Sequence, residues 1–347
     1  MVLLTISSIA SWGVLFILLA LIIWFFADKA IKKFLFGDTS SNLDKPASGS
    51  VKVIDGQAVT SLSNGFNINL QGKANKVINN SFKAKTFALK PKDFQGLKPI
   101  PKMMVKEGAK VLAGDKIFYD TTVEGVFFTA PVSGTVSEIR RAAKRSLAEV
   151  VITADDVIEY KSFKKANPSS MTREEVLNQM TESGAFSAIT SRPFGLPAIP
   201  SQSPRAIFIS AFDTAPMAAD LDFIIDNLSS ADFQTGLDAL NMLTETVHLN
   251  VTVNSNAKFK NAKGVQVNYF EGKDPAGRVG VQIHHIDPIK KGEVVWTIRP
   301  TDVVTIGKLF NQGIYDPKEL VAVAGLGFEK TFYIKTNKGA SVSSLVS

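Results

Sequence analysis

The sequence predicts a multidomain chain of mixed class, α+β and α/β, with an N-terminal transmembrane helix ahead of its globular part. Three observations carry this. Val2 to Ala27 contains no charged side chain. Short apolar runs broken by glycine and proline fill Val51 to Ile158, the pattern of an all-β region. From Ser169 onward, segments of helical period alternate with apolar strands, which argues for a parallel sheet covered by helices.

The first element follows from length. A helix rises about 1.5 Å per residue and the hydrocarbon slab is about 30 Å thick, so roughly 20 apolar residues suffice to cross. Trp12 and Trp24 stand near the two ends, and Lys29, Lys32 and Lys33 follow, which favours a cytoplasmic exit. Met1 to Trp12 carries no lysine or arginine, and the exit Trp24-Phe25-Phe26-Ala27-Asp28 offers no small-x-small cleavage site, so the segment reads as an uncleaved anchor and not a signal peptide. The basic run Lys29 to Phe36 either lies in the membrane interface or continues the helix into water. Residues 1–36 are therefore expected as anchor and juxtamembrane helix, and 37–63 as a polar linker. The expected location is a single-pass inner-membrane protein with its body in the cytoplasm.

Residues 64–160 form the predicted β module. Phe66-Asn67-Ile68-Asn69-Leu70 alternates with the period of a strand. A six-residue rhythm follows: Val105, Val111 and Ile117 are apolar, Gly108 and Gly114 fall midway, and Ala130-Pro131-Val132-Ser133-Gly134-Thr135-Val136 comes after. The glycines suit positive-φ turns while the apolar positions share a core. This rhythm resembles the biotinyl/lipoyl-type barrel-sandwich. The tip Thr121 to Gly125 lacks the lysine that family modifies, so the module reads as structural.

Residues 165–312 form the predicted α/β domain. Thr172 caps a helix, with Glu175 completing a capping box and Val176, Leu177 and Met180 on one face. Ala206 to Phe212 is a continuous apolar run, the mark of a strand buried on both faces. Helices are predicted near Asp220–Asn227 and Asp232–Leu243, and strands at Val247–Val253 and Val265–Phe270. In 313–347, Leu320–Gly325 and Thr331–Thr336 read as a hairpin and Val342–Val346 as the start of a helix.

Composition narrows the function. The formal net charge is +7, from 39 basic and 32 acidic residues, but the basic residues are scattered, which excludes nucleic acid and suits an anionic lipid bilayer. There are no cysteines, so cysteine-held iron–sulfur clusters and cysteine nucleophiles are excluded. No paired carboxylates, Ser/His/Asp set or metal-ligand cluster is evident, so the chain carries no complete catalytic site and no metal.

Several ordered segments resemble the NqrA family, a component of the sodium-translocating NADH:quinone oxidoreductase. They include Lys85-Thr86-Phe87-Ala88-Leu89, Phe128 to Val136, Glu182-Ser183-Gly184, Arg192-Pro193-Phe194, Ile207 to Pro216, His284-His285-Ile286-Asp287-Pro288 and Val295-Trp296-Thr297-Ile298. The resemblance runs from about Asn64 to Ser347. It implies a barrel-sandwich module, a Rossmann-like domain similar to the flavin-binding subunit of respiratory complex I, and a partial β-grasp end. It further implies a component that meets a quinone such as ubiquinone, with no tightly bound redox cofactor of its own. Flavins and iron–sulfur groups then belong to partner subunits, in flavin and membrane components of one respiratory complex. The relatives' glycine-rich nucleotide loop would correspond to Arg192–Pro200, which has one glycine and three prolines and should not cradle a dinucleotide. The alternatives are a non-catalytic scaffold of another membrane complex and, third, a stand-alone nicotinamide dehydrogenase.

A quinone headgroup needs a hydrogen-bond donor in an apolar slot, so the candidate residues are Arg192, Phe194, Asp213, His284 and His285. Asp213 reads equally as a helix N-cap, with Pro216 in the first turn. Adjacent histidines on a strand point to opposite faces, so the pair reads as structural hydrogen bonding and not as a chelate.

Overall fold

A computed structural model describes residues 49–94, 96–97, 100–123 and 125–345, which, apart from Gly49, lie in one compact unit. Strand β1 (Gly49–Ile54) turns into β2 (Gln57–Leu62) through Asp55 and Gly56, both at positive φ of 51° and 77°. Two successive positive-φ residues give the turn twist that antiparallel neighbours prefer. The predicted linker 37–63 therefore ends in strands. Burial explains this: β2 pairs in parallel with a strand of the α/β sheet and sinks Val59 and Leu62. Phe66–Leu70, by contrast, makes only the single bridge Phe66–Asp274 and stays exposed, because no neighbouring strand lies beside it.

After β3 (Ile78–Asn79) comes the β module. It contains β4 (Thr86–Leu89), β5 (Lys102–Met103), β6 (Lys110–Val111), β7 (Lys116–Tyr119), β8 (Phe127–Thr129), β9 (Gly134–Arg141) and β10 (Leu147–Ala154). They form one sheet in the order β4-β10-β9-β6 and a second in the order β5-β7-β8. The six-residue rhythm holds. Val111 and Ile117 are buried, and Gly108 and Gly114 take φ of 81° and 96° at the turns between short strands.

The α/β domain opens with α1 (Arg173–Ser183), whose Thr172–Glu175 capping box is complete. It continues through β11 (Thr190–Arg192), β12 (Leu196–Pro197), β13 (Ile207–Ser210), α2 (Leu221–Asp226), α3 (Ser230–Asn241), β14 (Val247–Val251), α4 (Ala257–Lys260), β15 (Gln266–Gly272), α5 (Val279–Ile286), β16 (Val295–Thr297) and α6 (Pro300–Gln312). The sheet order is β1-β2-β15-β14-β13-β16-β11-β12. From β2 to β16 the neighbours run parallel, while β11 and β12 add an antiparallel edge. Strands β13 and β14 are central and buried: β13 is apolar apart from its last residue, as a strand covered on both faces requires, whereas β14 buries His248 and Asn250 by hydrogen-bonding them. The final hairpin, β17 (Lys318–Val323) with β18 (Phe332–Asn337), recruits β3 as a parallel third strand from far earlier in the chain. A single 3₁₀ turn, Ser343–Leu345, stands where a helix start was expected.

The expectation of a single-pass membrane protein is corrected here. Among the described residues no helix is long and apolar enough to cross a membrane. The longest, α6, has 13 residues, about 20 Å at the helical rise, short of the roughly 30 Å hydrocarbon slab. The segment Val2–Ala27 that prompted the expectation, together with Lys29–Phe36, lies outside the described residues.

Candidate functional site

The carboxyl ends of parallel strands converge where β13 and β16 lie side by side, and a cavity of about 470 Å³ opens there. Such a crevice is where an open α/β sheet presents its loops to a ligand. Thr190 and Arg192 reach it from β11, Ser210 and Asp213 from the end of β13, and Thr297, Ile298 and Arg299 from the end of β16. Leu221 and Ile224 of α2, Val279 of α5 and Leu320 of β17 give it apolar walls.

Each polar group is placed by an identifiable interaction. Ser210 Oγ sits 2.9 Å from the Phe212 carbonyl and 3.0 Å from that of Gly277, and accepts from Gln282 Nε2 at 2.8 Å. Gln282 in turn accepts from Asn250 at 2.8 Å, Asn250 accepts from Asn268 at 2.9 Å, and Asn268 lies 3.3 Å from His248 Nδ1. A buried ladder of amides thus fixes the cavity floor. His248 at its far end stacks on Phe208 with centroids 4.5 Å apart. Burial, helped by the charge of Arg205, pushes its pKa down to about 4, so it is neutral at physiological pH.

The two arginines differ. Arg299 Nε binds Asp302 at 2.9 Å and its Nη2 binds Glu319 at 2.7 Å, which holds the guanidinium firmly charged. Lys338 also pairs with Asp302. Burial alone would raise the Asp302 pKa, but Lys338 and Arg299 outweigh it and keep the carboxylate ionised. Arg192 has no such engagement at its Nε, which is buried without a hydrogen-bond partner among the described residues. A buried donor left unpaired costs roughly 1–3 kcal/mol, so it favours any acceptor that enters.

Of the five predicted site residues, the structure brings Arg192 and Asp213 to one cavity and leaves the other three outside its lining. Phe194 is 79% exposed in the β11–β12 turn. His284 and His285 sit on helix α5 and not on a strand, with rings in edge contact at 5.3 Å. The helix wins because Val279 and Ile283, four apart, pack with Ala206 and Phe208. Asp213 caps no helix; its Oδ1 accepts from Ala215 N at 2.8 Å in an isolated turn. The proline-rich stretch is likewise not a strand-to-helix turn but the antiparallel hairpin β11–β12. The turns that do leave β13 and β16, residues 211–220 and 298–299, contain no glycine. Sequence reasoning missed Arg299 and Glu319. The usable signal was proline at the first position of α6, directly after a buried strand.

Fold and cavity together define a class: a barrel-sandwich module joined to a parallel α/β domain with a crevice at the carboxyl ends of its strands. Comparison with known families narrows it. Residues 60–155 match the NqrA N-terminal barrel-sandwich hybrid domain, and residues 171–315 the NqrA second alpha/beta domain. The chain is 37% identical over 288 residues to the NqrA protein of the Na(+)-translocating NADH-quinone reductase of Marinomonas sp. (strain MWYL1), covering 82% of this chain and 64% of that protein. It is 36% identical to the Neisseria gonorrhoeae (strain NCCP11945) counterpart over the same shares. To that of Serratia proteamaculans (strain 568) it is 37% identical, covering 74% of this chain and 58% of the relative. This chain belongs to the NqrA family, and it spans at most about 64% of the length of these relatives.

Proposed function

We propose that this chain serves as one component of a sodium-translocating NADH:quinone reductase and contributes a quinone-contacting crevice, with no tightly bound redox cofactor of its own. The observation that carries this is the buried, unpartnered Nε of Arg192 in an apolar-walled cavity of about 470 Å³. A quinone is a flat apolar ring with two carbonyl acceptors, and the volume lies within the usual range of roughly 300–1,000 Å³ for small-ligand sites. One carbonyl satisfies Arg192, and Leu221, Ile224 and Leu320 supply ring contacts. The glycine-free turns after β13 and β16 offer no close backbone approach to a pyrophosphate, which disfavours a dinucleotide there. Electrons then pass between flavin and iron–sulfur groups of partner subunits.

The test uses the fluorescence of buried Trp296, which neighbours Thr297 of the cavity wall, in the full chain with Trp12 and Trp24 replaced by Phe. Saturable quenching by a short-chain ubiquinone is the expected result. No saturation at millimolar quinone would defeat the reading in favour of a scaffold, and tight NADH binding would favour a nicotinamide dehydrogenase.

A further inference from the structure

One motif is left unused by this function. Phe66-Asn67-Ile68-Asn69-Leu70 has the alternation of a strand, yet Phe66, Ile68 and Leu70 are 80%, 60% and 57% exposed. Its ends are pinned. Phe66 N donates to Asp274 O at 2.9 Å, and just beyond, Gly325 N donates to Gly72 O at 2.8 Å. A Cβ on Gly65 would meet Asp274 O at 2.5 Å, so the entry to the run is tightly seated. Between the pins, Leu70 N donates to Ile68 O at 3.1 Å within the run, while the backbone N–H groups of Asn67, Ile68 and Asn69 have no hydrogen-bond partner among the described residues. The hydrogen bond to Gly72 also brings Leu326, 77% exposed, next to this run. Exposed apolar residues beside unpaired backbone N–H groups are what a partner strand covers when it adds by main-chain pairing.

The charge around the run selects the occupant. Between Gly56 and Lys92 the sequence holds six lysines and no aspartate or glutamate. Lys76 and Lys90 pair with Asp220 and Glu149, while Lys73, Lys83, Lys85 and Lys92 have no ion pair among the described residues. A sequence neighbourhood rich in lysine and free of carboxylates, with an apolar run inside it, fits a negatively charged partner segment.

We propose that Phe66–Leu70 is a docking strand that receives an extended, acidic segment of a neighbouring subunit, an inference that rests on the reading of this chain as part of a complex. The test places photoreactive benzoylphenylalanine at Ile68 of the full chain, expressed together with the other subunits of the complex, and at Val157, which is 77% exposed, as a control. The expected result is an Ile68 cross-link to an Asp- and Glu-rich peptide of another subunit. Its yield should fall about fivefold with Lys73→Glu and Lys83→Glu, and that difference should vanish near ~0.5 M salt. Cross-links only within the chain, to a second copy or to lipid would overturn the proposal, as would a yield indifferent to the lysine substitutions. If the chain co-purifies with other subunits but Ile68 captures none, only this surface falls. If it co-purifies with none, the reading as part of a complex falls first and this proposal with it.

Discussion

Arg192 and Arg299 line one cavity, yet only Arg192 holds a buried donor without a partner among the described residues. Arg299 is committed to Asp302 and Glu319, whereas the buried Nε of Arg192 is unpartnered. Arg192→Ala should therefore weaken quinone binding about tenfold, near 1.4 kcal/mol for one lost hydrogen bond, without lowering the melting temperature. Calorimetric titration and a thermal scan of the same sample check both halves. His248 sets a second expectation. Its pKa is about 4 folded against 6.5 unfolded, so below pH 6.5 the unfolded chain takes up a proton that the folded chain refuses. Its contribution to stability is complete above pH 6.5 and is lost progressively as pH falls toward 4, by up to roughly 3 kcal/mol. Urea midpoints of the wild type and His248→Gln, compared at pH 7.5 and near the folded pKa, should show the smaller drop in the variant.

Among the elements, the contact between α3 and α6 is the tightest constraint. The two helices touch backbone to backbone: a Cβ on Gly236 would lie 2.0 Å from Val303 O, and one on Gly307 1.6 Å from Asp232 O. Neither obstacle is a side chain that can swing away. Gly236→Ala or Gly307→Ala must push the helices apart and should cost about 2–3 kcal/mol or more, although alanine is the better helix former. Gly280 in α5 is the internal control, since a Cβ there meets nothing within 4 Å. Gly280→Ala should be neutral or stabilise by up to about 0.5 kcal/mol. Denaturant melts of the three variants decide it, and equal losses in all three would refute the packing argument.

The whole described body is stitched together by contacts far apart in sequence. One apolar cluster runs from Phe87, Ile117 and Val150 of the β module to Phe186, Trp296 and Phe310 of the α/β domain. Thr129 Oγ1 donates to Ser183 O at 2.9 Å across that boundary, and Asn337 Nδ2 reaches back to Pro131 O at 2.7 Å. The chain after β18 returns to β4, with Ala88 N donating to Gly339 O at 2.8 Å and Ser341 N to Thr86 O at 2.9 Å. Such interlocking predicts one cooperative transition. Far-ultraviolet circular dichroism and Trp296 fluorescence should trace the same urea curve, and separated midpoints would show that the modules unfold independently.

What the sequence determined by itself was local. The capping box on α1, the glycine turns of the β module and the buried β13 each follow from residues within one turn or one strand of each other. The tertiary structure alone decided three matters. It paired β2 with β15 and β3 with β18, moved the histidines onto a helix, and assembled the cavity from Arg192, Asp213, Arg299 and Glu319. Phe66–Leu70 shows why in reverse, since its alternation has the period of a strand yet it pairs only through the single Phe66–Asp274 bridge. Strand pairing and cavity walls are made by partners tens to hundreds of residues away, and short-range periodicity carries no record of which partner arrives.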